Sequence, residues 1–442
     1  MQKIIIHQLG PVEHCELEIN DFMIFTGPQA SGKSTIAKSV FFFKNIRKLL
    51  VSQIRKRYTV LSYLPDDNSM ELSLKGRLLR EVRANFLQIF GSTWCMSNDM
   101  QLQYYYTEDV SIKVSLKEDQ ISPNYIWIEF SKSLLDFLNH IEQEIKGKLI
   151  YTDISFFSEE IDRFFEDDEE IVYVPAGRSM ITLLSTQLNY IYSSMDDEQK
   201  RTMDYCTRNY MERILQLKTG FSLSPEQMIA QQINLTDVKI NKKLLYQMAE
   251  LMYKILGGEY RSVNGEERLL ISDDHYVKIN FASSGQQASV WILNVIFYYI
   301  LHNKKTYFII EEPESHLFPN AQKLIAEFIA MAQNNGQNGV FITTHSPYIL
   351  GTINNLLYAN KIASFVNRSE LQQIVASDKW ISFEKISAFY IEKGMIQECV
   401  DREFQAIRNE VIDGASEDIN DDYDKMVCLK EKYAVNDGKI TL

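Results

Sequence analysis

The five cysteines, at positions 15, 95, 206, 399 and 428, are scattered, and no C-x-x-C pair occurs. That spacing argues against a disulfide framework or a zinc site and suits a reducing compartment. The seven histidines do not stand beside them at ligand spacing. There is no internal repeat, no low-complexity tract and no sustained heptad run, so a long coiled-coil arm is not expected. The longest apolar stretch, around Val290–Leu301, is too short to span a bilayer. The opening MQKIIIHQLG does not read as a signal peptide. A cytoplasmic setting without membrane contact is therefore expected. What is present is ordinary globular material: 45% hydrophobic and 24% charged residues, enough for a sizeable core.

The formal net charge is −13, which does not suit unselective coating of nucleic acid. The charge is uneven. Lys38–Arg83 carries eleven Lys/Arg against four acids, whereas Glu159–Glu170 carries eight acids and one Arg. Each run is expected to form a solvated face, and the basic one is also a candidate DNA or partner contact.

The most specific signal is Gly27-Pro28-Gln29-Ala30-Ser31-Gly32-Lys33-Ser34-Thr35, a complete G-x-x-x-x-G-K-[ST] phosphate loop (Walker A). The apolar Phe22–Thr26 before it reads as a strand, and Ser34 to about Arg57 reads as a helix. Glycines let backbone N–H groups turn toward phosphate oxygens, and the helix adds its positive end. Lys33 is placed to reach the β- and γ-phosphates, and the Ser34 hydroxyl to hold Mg²⁺.

The second signal is Tyr307-Phe-Ile-Ile-Glu-Glu-Pro-Glu314 (Walker B), a buried parallel strand with carboxylates at its C-terminal end, where open α/β sheets bind ligands. Glu311 is the candidate Mg²⁺ ligand, directly or through water. Glu312 is the candidate general base that orients the attacking water. Third, Ala282-Ser283-Ser284-Gly285-Gln286-Gln287 opens an apolar helix and forms a candidate anion site. Fourth, Val340–Thr344 delivers His345 to the same sheet edge as a candidate γ-phosphate contact. Arg178, after a short strand and a Pro-Ala-Gly turn, is a further candidate anion contact.

Alternation predicts strands at Lys3–Gln8 and Glu16–Ile19 and an antiparallel meander from Gln101–Tyr106, Val110–Leu116 and Tyr125–Glu129. Helical spacing is read over Glu71–Phe90, Ser131–Lys146, Ser158–Phe165 and most of Met180–Leu256, with strands returning between Tyr260 and Phe281. The expected division is an ATPase core from 1–48 and 260–370, an inserted β meander and helical lid over 49–259, and a separate mixed or helical segment over 371–442.

These four pieces, in this order, resemble the ABC-type AAA-family ATPase heads. That group includes RecF, the SMC-like repair ATPases, transporter nucleotide domains and the OLD-family ATPase–nucleases. The wording of EEPESHLFPNAQ (311–322) and TTHSPYIL (343–350) is most similar to the ATPase half of OLD-like proteins and to their stand-alone bacterial relatives, including the ATPase subunits of PARIS- and Septu-type anti-phage systems. The resemblance covers residues 1–45 and 260–355. It implies an α/β P-loop NTPase fold with a mixed or parallel central sheet, an antiparallel β subdomain and a mostly helical insertion.

It also implies a homodimer or higher homo-oligomer that sandwiches two ATPs with Mg²⁺. Lys33, Ser34 and Thr35 of one subunit would hold each nucleotide, and the signature residues Ser283, Ser284, Gly285 and Gln286 of the other would close over it. Ser284 stands where the family has Gly. Ser315–Pro319 matches the loop that contacts the partner subunit, and His345 the switch histidine. Gln88 and Gln103 are candidates for the family's magnesium-sensing glutamine. The TOPRIM nuclease of OLD proteins has no counterpart after His345: Asp421, Asp422 and Asp424 sit in a polar stretch without an apolar strand. The function implied is an ATPase whose ATP-dependent dimerisation regulates a separate effector, a nuclease or toxin, in phage defence. The alternative is a RecF- or SMC-like DNA-repair or DNA-clamp ATPase that binds DNA through Lys38–Arg83.

Overall fold

Phe22–Thr26 is buried along its whole length, so it needs a backbone partner on each edge and apolar packing on each face. The fold supplies both. The computed structural model describes residues 1–63, 72–117, 125–147, 155–185, 187–235, 240–272, 274–336, 338–408 and 421–427. The strands are β1 (Lys3–Leu9), β2 (Val12–Glu18), β3 (Phe22–Thr26), β4 (Gln101–Tyr105), β5 (Ser111–Lys117), β6 (Tyr125–Phe130), β7 (Glu170–Val174), β8 (Glu259–Val263), β9 (Glu266–Ser272), β10 (His275–Lys278), β11 (Thr306–Glu311), β12 (Gly339–Thr343), β13 (Ile386–Glu392) and β14 (Met395–Glu398). Eleven of them form one sheet in the order β6-β5-β4-β1-β2-β14-β13-β3-β12-β11-β7, and β8–β10 form a small antiparallel sheet.

The large sheet has two characters. From β13 to β7 every pairing is parallel. From β6 to β2 every pairing is antiparallel. In the antiparallel half, burial alternates, as in the i-B-i-B-i-B of Ser111–Leu116, so one face meets the core and the other is wetter. β13 and β14 join the halves. The expected α/β architecture, with a mixed central sheet, an antiparallel β region and a helical insertion, is present. The antiparallel meander is an extension of the core sheet. The part after residue 370, read from sequence as a separate segment, supplies β13 beside β3 and β14 beside it. The hairpin Phe389–Met395 carries no motif that marks it as core.

Helices cover both faces. On one face lie α1 (Lys33–Tyr63), α2 (Leu74–Phe90), α3 (Lys132–Gly147) and α4 (Ser155–Phe165), packed through Phe41, Phe42, Phe43, Phe86 and Phe165. The insertion continues with α5 (Arg178–Leu183), α6 (Leu188–Ser194), α7 (Asp197–Thr202), α8 (Tyr205–Leu217), α9 (Pro225–Leu235) and α10 (Lys242–Leu256). On the other face lie α11 (Ser284–Leu301), α12 (Pro319–Asn334) and α13 (Pro347–Ile362). α11 is buried almost all round, with Trp291, Ile292, Leu293, Val295, Ile296 and Phe297 fully inaccessible. A helix of that kind is fixed by its surroundings rather than by an amphipathic stripe.

The two opposite charge runs meet. Lys44 Nζ lies 2.9 Å from Asp167 and 3.0 Å from Glu169. Arg47 pairs with Asp162 and donates to the Glu169 carbonyl. Burial alone would lower the Lys44 pKa, but Asp167 and then Glu169 hold it above the ordinary value. Burial pushes Glu169 up, whereas for Asp167 the charge of Lys44 and the Gln2 hydrogen bond outweigh burial and hold the carboxyl down. The expectation of two solvated faces is therefore corrected: part of each run neutralises the other across helix α1. Within the basic run Lys44 and Arg77 are buried and Lys38 pairs with Asp204 at 2.9 Å, while Arg55 and Lys56 are exposed. Arg57 has its side chain outside the described residues.

Removing one partner of a buried pair strands the other. Lys44→Met should cost about 3–5 kcal/mol in urea unfolding. Adding Asp167→Asn to that variant should restore part of the loss. An additive double variant would show that the two groups do not interact.

Candidate nucleotide site

The parallel register fixes what can meet. Val174, Ile310, Ile342, Ile24 and Ala388 form one row across β7, β11, β12, β3 and β13. The chain leaves that row, at the C-terminal ends of β3, β11 and β12, into the phosphate loop, the Glu311–Glu312 pair and His345. A cavity of about 240 Å³ opens there, lined by Pro11, Gln29, Ala30, Ser31, Gly32, Lys33, Ser34, Thr35, Glu312, Thr343 and His345. The phosphate loop, Glu312 and His345 are thus brought together as read from sequence.

The loop's shape has identifiable causes. Gly27 sits at φ 141°, and a Cβ there would collide with the Ile391 carbonyl of β13. Only glycine fits both conditions. Lys33 turns its Nζ onto the carbonyls of Gly27 at 2.8 Å and Pro28 at 2.7 Å. Burial lowers its pKa to about 8, against the opposing pull of the Glu312 and Glu314 charges.

At the facing wall, His345 Nε2 lies 3.4 Å from Glu312 Oε1, and Ser315 Oγ donates to Glu312 Oε2 at 3.2 Å. The His345 hydrogen bond, against the opposing effect of burial, holds the Glu312 carboxyl below its ordinary value. Glu312 is therefore an anion at neutral pH, the form a base requires. Its backbone is left-handed at φ 43°, unusual for a residue with a Cβ. Glu314 is the buried counterpart: it accepts from Thr344 Oγ1 at 2.8 Å and His345 N at 2.7 Å, and burial pushes its pKa up.

Glu311 points to the other side of the strand end. Its Oε2 accepts from Ala176 N at 3.1 Å, while its Oε1 is buried without a hydrogen-bond partner. A buried carboxylate oxygen without a hydrogen-bond partner has the chemistry of a ligand for a hard cation such as Mg²⁺, but Glu311 does not line the phosphate-loop cavity. Among the described residues no group of three or more His, Cys, Asp or Glu could hold a metal, so such an ion would draw on the Ser34 hydroxyl and on phosphate as well.

The signature segment lies outside this cavity. Ser283 caps α11, its Oγ accepting from Gln286 N while Gln286 Oε1 accepts from Ser283 N. Ser283 and Ser284 are exposed. Gly285 is buried, and a Cβ there would lie 2.7 Å from the His316 carbonyl. Its lack of a side chain lets the cap pack on the Ser315–Pro319 loop. Gln286 Nε2 donates to Leu256 O at 2.7 Å, so both ends of its amide are used within the chain.

Arg178 is the clearest correction. It is fully buried. Its Nε donates to Ala288 O at 2.7 Å, Nη1 to Glu311 O at 2.8 Å and Pro175 O at 3.2 Å, and Nη2 to Glu312 O at 2.8 Å. Four of its five N–H groups meet carbonyls, so it is no anion contact. Gln88 accepts from Arg208, and neither it nor Gln103 lines the cavity. Sequence reading missed Pro11, Thr343, Glu314 and the β13 contact. Glu314 was within the quoted motif. Pro11 and Ile391 reach the site only by topology.

The model of the AAA ATPase domain family matches residues 1–350, and the chain belongs to that family. It is an ATPase with a P-loop. No curated protein matches the chain. Among solved structures it is similar to the SMC head domain from Thermotoga maritima, at 10% identity over 90% of this chain and 97% of that one with a TM-score of 0.35. The Smc head domain of Pyrococcus yayanosii with a coiled coil and joint gives 11% identity over 94% and 100%, with a TM-score of 0.39. The Pyrococcus furiosus Smc head bound to the C-terminal domain of ScpA gives 13% over 90% and 96%, with a TM-score of 0.38. Likenesses this loose add nothing to the family assignment. No helix among the described residues is long and apolar enough to cross a membrane.

The Lys33 pKa of about 8 gives a pH signature. Below that value the ammonium is charged before nucleotide arrives. Above it, binding must take up a proton, so ATP affinity should fall with rising pH, toward tenfold per unit. Titration calorimetry in buffers of different ionisation enthalpy measures the uptake; none at pH 9 contradicts the assignment of this group.

Proposed function

We propose that the chain is an ABC-type ATPase whose ATP-bound state is a dimer of two copies with two nucleotides between them. The observation that carries this reading is a division of labour. Lys33, Ser34, Glu312 and His345 share one cavity, while the capped Ser283–Ser284 end of α11 is exposed and lines no part of it. Each copy thus offers a cradle and, separately, a cap. Phe281 and Phe318, 77% and 75% exposed, flank the cap and the neighbouring loop, which supports burial against a second copy.

In this reading residues 27–35 hold the phosphates, with backbone N–H groups and the α1 N-terminus facing the negative charge. Lys33 exchanges its loop carbonyls for phosphate oxygens. Glu312, held anionic, accepts a proton from the attacking water and aims it. His345, hydrogen-bonded to Glu312, reaches the γ-phosphate. Ser283 and Ser284 of the second copy close from the opposite side. Ser34 and Glu311 would hold Mg²⁺, which when bound draws charge from the bridging phosphate oxygens.

What dimerisation does is a further part of the proposal. The EEPESHLFPNAQ and TTHSPYIL wording supports regulation of a separate effector, a nuclease or toxin, in defence against phage.

Lys33→Ala should abolish nucleotide binding, measured by fluorescent-analogue titration. Glu312→Gln should slow hydrolysis by at least a hundredfold and accumulate an ATP-dependent dimer in light scattering. An unchanged hydrolysis rate in Glu312→Gln refutes the base assignment, and a protein that stays monomeric with ATP refutes the sandwich.

A further inference from the structure

Arg178 joins parts of the molecule that the nucleotide site keeps apart. It opens the short helix α5 just after β7, whose Val174 pairs with Ile310 of the carboxylate strand. From there its guanidinium reaches the main chain of both Glu311 and Glu312, and also Ala288 in the first turns of α11. α11 is the helix that Ser283 caps.

Two further facts give this bridge meaning. Glu312 is held at φ 43°, a strained conformation for a residue with a Cβ, which persists only where neighbours impose it. Its N–H is fixed by Thr343 O at 2.9 Å, and its carbonyl accepts from Arg178 Nη2 at 2.8 Å and from Ser315 N at 3.0 Å. The adjoining turn also holds the Glu311 side chain, through Ala176 N. Strand end, left-handed glutamate and cap helix are thus one hydrogen-bonded body with a single buried cation at its centre.

We infer that Arg178 is a positioning residue: it sets the direction of the Glu312 carboxylate and ties it to the cap-bearing start of helix α11. This rests on the dimer reading above. In that dimer a copy's cap serves the other copy's nucleotide, while its Glu312 serves its own. The guanidinium therefore connects the two sites, so that cap closure on one nucleotide steadies the base at the other. The planar fork matters, because one ammonium cannot reach carbonyls on three segments at once.

The test is Arg178→Lys, which keeps the charge and loses the fork. Nucleotide affinity and KM should stay within about threefold of wild type, while kcat falls at least tenfold and any cooperativity in ATP falls to a Hill coefficient of one. A loss confined to KM, or an unchanged kcat, overturns the inference. In a double-mutant cycle with Ser283→Ala, the two losses in kcat should overlap rather than multiply; independent losses overturn the link to the cap. Arg178→Lys combined with Glu312→Gln separates this inference from the dimer itself. If that protein dimerises with ATP like Glu312→Gln alone, the sandwich stands and kcat judges Arg178. If Glu312→Gln never dimerises, the sandwich has failed, and a tenfold kcat loss in Arg178→Lys then supports the aiming of Glu312 within one copy only. Should Arg178→Lys not fold, wild-type hydrogen exchange decides. The amides of Ser289–Ile292 and of Glu312, Glu314 and Ser315 should open with one shared free energy, and separate openings overturn the inference.

Discussion

A row of backbone hydrogen bonds across five parallel strands is the constraint on which the site depends. Because Val174, Ile310, Ile342, Ile24 and Ala388 stand abreast, every chain that continues past the row emerges on the same edge. Side-chain chemistry then has little freedom in where it appears. The phosphate loop follows one strand, the glutamates a second, the histidine a third. Shifting any strand by one residue would exchange the side chains on its two faces, and with both faces packed against helices such a shift is strongly opposed.

Much of this was legible in the sequence, for a physical reason. Strands buried on both faces need unbroken apolar runs, and Phe22–Phe25, Tyr307–Ile310 and Val340–Ile342 supply them. The polar residues at their ends, among them Lys33, Ser34, Glu312, Thr343 and His345, line one cavity. The paired identity of Glu311 and Glu312, with different surroundings, could be guessed from order alone. The strands of the meander could also be read, since their alternation reflects one wet face.

The rest was illegible because it depends on partners distant in the chain. Nothing in Ile386–Glu392 announces that it lies beside Phe22–Thr26, and so the reason Gly27 must be glycine is hidden in residue 391. Arg178 looked like a surface anion contact because an arginine after a glycine turn usually is exposed. Its burial is set by carbonyls from segments more than a hundred positions away. The charge runs misled in the same way. Seen one at a time, Lys38–Arg83 and Glu159–Glu170 are two solvated patches; seen together, Lys44 and Arg47 of the first meet Asp162, Asp167 and Glu169 of the second and dock α1 onto the turn after α4.

The placement of β13 has a consequence for how the molecule is made. The strand that precedes the phosphate loop emerges early from a ribosome, yet its neighbours on either edge, 339–343 and 386–392, emerge late. Until they arrive, Phe22–Thr26 has apolar faces and open edges, the condition under which nascent chains associate wrongly. The antiparallel half can pair with itself as it is synthesised. The parallel half that carries the phosphate loop must wait until residues 386–392 are made, and its assembly is expected to be the slow event in the birth of this protein.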